Sequence, residues 1–250
     1  IIVSGVDTDI SPYDCGSYAS STTYVTGMAV IKTCESLKNK IMERGAQYLE
    51  VPVEEVEFDG KNVVHLPSGK KISLKEIGNN VMCNSNESLM ASEANSSPIS
   101  PPPFMAGAAE IEVDLETGKI TPINYVAAVD CGTVINTNLA RIQAEGGLVQ
   151  GLGMTLYEDM QYTKAGKMKN RNFMSYKIPT RLDMGNIKVE FESSYEETGP
   201  FGAKSIGEIV INTPAPAIAD AVYNATGLRF RTLPITAEQV LMGLLDKEEA

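Results

Sequence analysis

Residues 83–103 read CNSNESLMASEANSSPISPPP, and no regular element can run through them. Ser, Asn and Pro dominate the stretch, and the run Pro101–Pro103 removes backbone donors and fixes φ at three successive positions. The stretch therefore reads as a linker or long loop that divides the chain into a first part, residues 1–103, and a second part, residues 104–250. At 250 residues the chain exceeds the usual size of one domain, and 43% apolar residues are enough for a core in each part.

The first part opens with a short strand and a loop rich in Asp, Ser, Gly and Tyr. A helix follows from Thr22, where Gly27, Val30, Cys34, Leu37 and Ile41 recur at three- and four-residue spacing. It is expected to end near Arg44, before Gly45. Two short strands around Val56–Phe58 and Val63–Leu66 flank DGKN, a hairpin signal, and SLKEIGNNVM reads as a further short helix.

In the second part, Ile111, Val113 and Leu115 alternate with Glu110, Glu112, Asp114 and Glu116. Period-2 alternation is the mark of a half-buried strand, so the carboxylate row reads as its solvent face rather than a metal site. Glu116–Lys119 makes the turn, and a return strand ends near Asp130. The run NTNLARIQAEGGLVQGLGMTLYED has a helical apolar stripe at Leu139, Ile142, Val149, Leu152 and Leu156, yet it holds Gly146, Gly147, Gly151 and Gly153. Each costs about 1 kcal/mol against Ala in a helix interior. Close packing against another backbone and close approach of a ligand explain them equally well. NIKVEFESS is strand-like, Thr213 as a capping residue with Pro214 at the first position starts a helix that Gly227 ends, and Thr236-x-x-Gln239 is a capping box flanked by Ile235 and Val240 as a staple. Strands and helices mix without strict βαβ alternation, which points to an α+β fold of mixed sheets with packed helices.

A net charge of −11 argues against nucleic acid or an anionic membrane as partner. Cys15, Cys34, Cys83 and Cys131 are scattered and His65 is the only histidine, so no metal or iron–sulfur site made by this chain alone is expected. No signal peptide and no 18-residue apolar span is seen, so a cytoplasmic location is expected. The sequence begins at Ile1 within a strand-like run, as a processed, truncated or split chain would. There is no Walker A motif, no strand–GxGxxG–helix unit, and no partner set for His65 as a catalytic triad base.

Three segments hold more special residues than packing requires. In YDCGSYASSTTYVTG, residues 13–27, the hydroxyls of Ser20, Ser21, Thr22 and Thr23 crowd a helix start, where free N–H groups can hold an anion; helix capping explains one or two of them. The second is the glycine-laden helix with Gln143 and Gln150. The third is ETGPFGAKSIGEIV, residues 197–210, in which Glu208 follows Gly207 between Ile206 and Ile209. Taken alone, Glu208 reads as a surface carboxylate in a glycine loop. Desolvation by its apolar neighbours would instead raise its pKa toward that of a general base, and a nearby Lys204 ammonium would oppose the rise.

The stretches DTDISPYDCGSYASSTTYVTGMAV, VDCGTVINTNLARIQAEGGLVQGLGMTLYED, NFMSYKIPT and GAKSIGEIVINTPAPAIADAV, in this order over about residues 4–235, resemble the C-terminal part of the molybdopterin-binding subunit of the molybdenum hydroxylases, the xanthine dehydrogenase and aldehyde oxidase family. The resemblance implies a partial molybdopterin-binding domain of that type. It places the family's active-site glutamate, from GxKxxGE, on Glu208, and Gly207 where the backbone approaches the metal. It places the pocket-lining positions of YASSTT on Ala19, Ser20, Ser21 and Thr22, and another cofactor stretch on Gln143. In that family the glutamate takes a proton from a molybdenum-bound hydroxyl, the oxygen attacks an electron-poor carbon, and hydride passes to a terminal sulfido or selenido ligand. The implied cofactor is molybdenum with molybdopterin in its cytosine dinucleotide form, with no metal ligand from this chain. The implied substrate is an N-heteroaromatic compound such as nicotinate, or a purine. The family's earlier glycine-rich and arginine-containing cofactor loops are not found here, so the chain is expected to supply only part of the site, either as a fragment or as one chain of a split molybdenum subunit like that of nicotinate dehydrogenases, with another molybdopterin chain, an iron–sulfur subunit and an FAD subunit as partners.

Overall fold

The computed structural model describes residues 1–5, 7–85, 88–97 and 99–248; Asn86, Glu87 and Pro98 of the 83–103 stretch lie outside the described residues, as do Val6, Glu249 and Ala250. The chain forms two compact bodies, Ile1–Gly16 with Tyr24–Ile99, and Ser17–Thr23 with Ser100–Ala250.

The first body is built on α1 (Thr22–Leu49) and a three-stranded antiparallel sheet of β1 (Val56–Phe58), β2 (Asn62–His65) and β3 (Lys71–Ser73), followed by α2 (Leu74–Asn84). The DGKN hairpin forms because Asp59 Oδ1 accepts from the N–H groups of Lys61 (2.8 Å) and Asn62 (2.6 Å), an Asx-type turn. A capping box starts α2: Ser73 Oγ accepts from Glu76 N and Glu76 Oε2 accepts from Ser73 N. Ile41, Ala46, Val56, Val63, Ile77 and Val81 make the core.

The helix does not stop before Gly45. It continues to Leu49 and ends at left-handed Glu50 (φ 56°), with Val51 N–H bonded to Ala46 O at 3.1 Å. Gly45 is a packing residue, since a Cβ there would lie 2.6 Å from Val63 Cβ. Nor does the whole predicted stripe pack in this body: Ile41 is buried and Leu37 joins the core, but Val30 and Cys34 are exposed. Strands of three or four residues, at ~3.3 Å each, cover only the later turns of a 28-residue helix that rises ~1.5 Å per residue. His65 is buried, with Nδ1 2.6 Å from Ser68 Oγ and Nε2 2.8 Å from Glu55 Oε2.

In the second body β4 (Phe104–Val113) and β5 (Ile120–Asp130) form the predicted hairpin, with the even positions of β4 from Phe104 to Glu112 facing solvent. The strand β6 (Asn186–Phe191) adds to β5 in parallel, Asn124 opposite Asn186 and Val129 opposite Phe191. Between them runs α3 (Thr137–Leu156), giving one βαβ crossover inside an otherwise α+β body. The helices α4 (Pro214–Thr226) and α5 (Ala237–Glu248) complete it. The core joins Tyr125, Ala127 and Val129 of β5 with Leu148 and Leu152 of α3, Ile218 and Val222 of α4, and Ile235 and Val240 at α5. The predicted box at Thr236 and Gln239 forms, and Gly227 (φ 74°) closes α4. Thr213 stands at the N-cap position of α4 without capping it, because its hydroxyl accepts from buried Tyr125 Oη at 2.8 Å.

The α3 glycines separate into two kinds. A Cβ on Gly147 would overlap Val210 Cγ2, one on Gly151 would lie 2.6 Å from Pro214 Cγ, and one on Gly153 would be 2.9 Å from Pro179 Cδ. These three are packing glycines. A Cβ on Gly146 would meet nothing within 4 Å.

Candidate functional site

The segment that carries Glu208 is stitched to the end of β5. Lys204 N–H donates to Cys131 O at 2.7 Å, Thr133 N–H donates to Gly202 O at 2.8 Å, and Gly132 pairs with Ala203 as an isolated bridge. Only glycine fits at 132: its φ is 69°, and a side chain there would run into the Gly202 carbonyl. Lys204 is buried, 8% exposed, and its ammonium donates to Asp130 Oδ2 at 2.7 Å while standing 5.2 Å from the Phe104 ring centroid. Asp130 Oδ1 accepts from Ser194 Oγ (2.5 Å) and from Gly132 N–H (3.0 Å). Burial pushes the Asp130 carboxyl up, but the hydrogen bonds from Lys204, Ser194 and Gly132 outweigh it and hold the group below the usual carboxylate range. Burial first, then the Asp130 charge, pushes the Cys131 thiol up, so it is no reactive thiolate.

Ile206 and Ile209 turn inward against the core of the second body, while the side chain of Glu208 is exposed. The desolvation expected from those neighbours is thus not supplied by them. Lys204 is engaged with Asp130. Glu208 precedes a 3-10 turn, Ile209–Ile211, and its carbonyl accepts from Ile211 N–H at 3.2 Å.

A 3-10 turn at Tyr18–Ser20 leads into α1. Ala19 (φ 49°) and Ser20 (φ 54°) are both left-handed without being glycine, a conformation that costs roughly 1–2 kcal/mol per residue. The turn is held by Ser20 N–H to Ser17 O (3.2 Å), Ser21 N–H to Tyr18 O (3.1 Å), and a hydrogen bond between the Ser17 and Thr22 hydroxyls. Phe201, in the segment before Glu208, is likewise left-handed without being glycine (φ 52°).

The two segments meet. A Cβ on Gly207 would lie 2.7 Å from Ser20 Oγ and 3.8 Å from Gln143 Nε2. Beside them a cavity of about 300 Å3 is lined by Thr23, Cys131, Asn136, Gln143, Lys204 and Ile206, among others. Of the residues expected from the sequence, Ser20, Gln143 and Gly207 converge, and Glu208 adjoins them. Ala19 and Ser21 shape the turn, and Thr22 spends its hydroxyl on Ser17. The cavity also uses Thr23, Cys131 and Asn136, which are not among the site residues expected from the sequence, although Thr23 belongs to the hydroxyl cluster and VDCGTVINTN to the stretches that carry the resemblance. A second cavity, about 440 Å3, lies between α3 and residues 179–187 and includes Gly146 and Arg181.

The profile of the molybdopterin cofactor-binding domain matches residues 1–185. The probable hypoxanthine oxidase XdhD of Escherichia coli (strain K12) is 35% identical over 248 residues, covering 97% of this chain and 25% of that protein. The carbon monoxide dehydrogenase large chain of Afipia carboxidovorans is 27% identical over 231 residues, 90% of this chain and 28% of that one. In fold, the chain superposes on quinoline 2-oxidoreductase from Pseudomonas putida 86 with a TM-score of 0.83 at 22% identity, over 95% of this chain and 32% of that one. The chain thus spans about a quarter of the length of the relative XdhD. It belongs to the molybdopterin cofactor-binding domain family.

Proposed function

We propose that this member of the molybdopterin cofactor-binding domain family contributes one wall of the active site of a molybdenum hydroxylase, with Glu208 as the general base. The observation that carries the reading is the convergence of Ser20, Gln143 and Gly207, with Glu208 next in the chain. The residues fit the cofactor in their chemistry: Gly207 leaves its backbone without a side chain beside Ser20, Gln143 offers an amide donor, and Ser20, Ser21, Thr22 and Thr23 surround the start of α1, whose free N–H groups favour anions.

When bound, the molybdenum–pterin group supplies two-electron oxidation with transfer of a water-derived oxygen. The chain's own residues then have defined tasks. Glu208, as a carboxylate, accepts the proton that must leave that oxygen. Ser20 and Gln143, both beside Gly207, would orient the cofactor. The exposure of Glu208 in this chain means that water must be excluded by substrate, cofactor and the remaining protein. The substrate is an N-heteroaromatic compound such as nicotinate, or a purine; the pterin is the cytosine dinucleotide form. A further molybdopterin-binding portion, an iron–sulfur module and an FAD module complete the path for electrons. The setting is the cytoplasm, consistent with four free cysteines.

The test is purification of the complete protein with its partners, followed by metal analysis, release of CMP, and oxidation of hypoxanthine and nicotinate in 18O-labelled water. Molybdenum, CMP and labelled product are expected. Glu208→Gln should lower turnover by about 10² to 10⁴ with molybdenum retained. Wild-type turnover in that variant overturns the base assignment, and a complex without molybdenum overturns the whole reading in favour of a scaffolding role.

A further inference from the structure

Glu208 is exposed, on a segment with left-handed Phe201 and Gly202 at one end and a single 3-10 turn at the other. Ile206 and Ile209 pack inward on either side of Glu208 in the chain, but general-base catalysis depends on position to within a fraction of an ångström. A further tie lies four residues earlier, where buried Lys204 pairs with partly exposed Asp130. Lys204 joins Asp130 at 2.7 Å, and Asp130 is itself oriented by Ser194 and by Gly132 N–H. The Lys204 backbone is bonded to Cys131 O, so side chain and main chain both clamp this point of the segment to the end of β5. Lys204 also lines the 300 Å3 cavity that adjoins Gly207 and Gln143.

We infer that Asp130 and Lys204 form a positioning device for Glu208, fixing where its carboxylate stands rather than taking part in the proton transfer. This rests on the proposed role of Glu208. Four residues of chain span at most ~14 Å, so the anchor lies within that reach of Glu208 along the backbone.

The experiment is a double-mutant cycle in the complete enzyme with its partners, reading hypoxanthine and nicotinate oxidation, molybdenum content, and amide exchange of residues 203–208. Lys204→Met should lower kcat by about tenfold or more, leave KM and molybdenum content within about twofold, and speed exchange in 203–208 while leaving α3 unchanged. In the Glu208→Gln background the same substitution should change the residual rate by less than about twofold, because a residue that acts only through Glu208 has nothing left to position. Asp130→Asn, which keeps the shape of the side chain, should behave alike. An equal loss from Lys204→Met with and without Glu208, or unchanged kcat in both anchor variants, overturns the inference while leaving the base assignment standing. Full activity of Glu208→Gln is a separate outcome that removes the reading on which the inference rests. Failure of both anchor variants to assemble assigns the pair to folding and overturns the positioning role.

Discussion

Gly207 runs so close to Ser20 that a Cβ on it would lie 2.7 Å from the serine Oγ and 3.0 Å from its Cβ. Gly207→Ala therefore displaces the Ser20 turn. The expected outcome is a loss of bound molybdenum per chain and a stability decrease of about 1–3 kcal/mol, read by metal analysis and thermal denaturation. Unchanged metal content would show that the contact is incidental.

Ser20 itself is left-handed at φ 54°. Ser20→Gly relieves that strain and should stabilise the fold by up to about 1 kcal/mol, yet it removes the hydroxyl that stands beside Gly207 and, on the role proposed for Ser20, should weaken cofactor retention. Stability and metal content moving in opposite directions is the signature to look for. Both falling together would argue that the hydroxyl is structural.

The α3 glycines should respond in opposite ways to alanine. Gly151→Ala drives a methyl group against Pro214 and should cost about 1–3 kcal/mol. Gly146→Ala enters open space and should gain up to about 1 kcal/mol of helix propensity. Chemical denaturation of the two variants checks the sign of each.

Thr213 accepts the hydrogen bond of Tyr125, a side chain only 2% exposed. Thr213→Val keeps the shape but leaves that hydroxyl unpaired, at a cost of about 1–3 kcal/mol, whereas Thr213→Ser should remain near wild type. Equal stability of all three proteins would mean that Tyr125 finds another partner.

Asp130 has its folded-state pKa depressed, net of the opposing effect of burial. A depressed carboxylate stabilises the fold above its unfolded pKa of about 4, and the contribution fades as pH falls through the folded value. Stability should therefore drop more steeply below pH ~4 in the wild type than in Asp130→Asn, measured by denaturant titration across the acid range. Parallel curves would show that the pair does not couple to folding.

Much of this structure can be read locally. The Asp59 turn, the Ser73–Glu76 and Thr236–Gln239 boxes, the Gly227 terminus and the alternation of β4 each depend on residues within a few positions of one another. Short-range hydrogen bonding and side-chain period decide them, so spacing alone suffices. The motif positions Ser20, Gln143, Gly207 and Glu208 were also legible as candidates, through their resemblance to a known family.

What spacing could not decide is what each special residue meets. Gly45 looked like a helix end and is a contact for Val63; Thr213 looked like a cap and serves Tyr125. Gly147, Gly151 and Gly153 left packing and ligand equally open until Val210, Pro214 and Pro179 arrived against them from distant parts of the chain. The parallel pairing of β6 with β5 and the burial of Lys204 on Asp130 likewise join residues far apart in sequence. Such contacts form only when chain entropy is outweighed by burial of the whole core, a property of the folded body and not of any segment. Local chemistry thus settled which elements this chain makes, and tertiary packing settled which of its glycines, hydroxyls and charges stand together at the site.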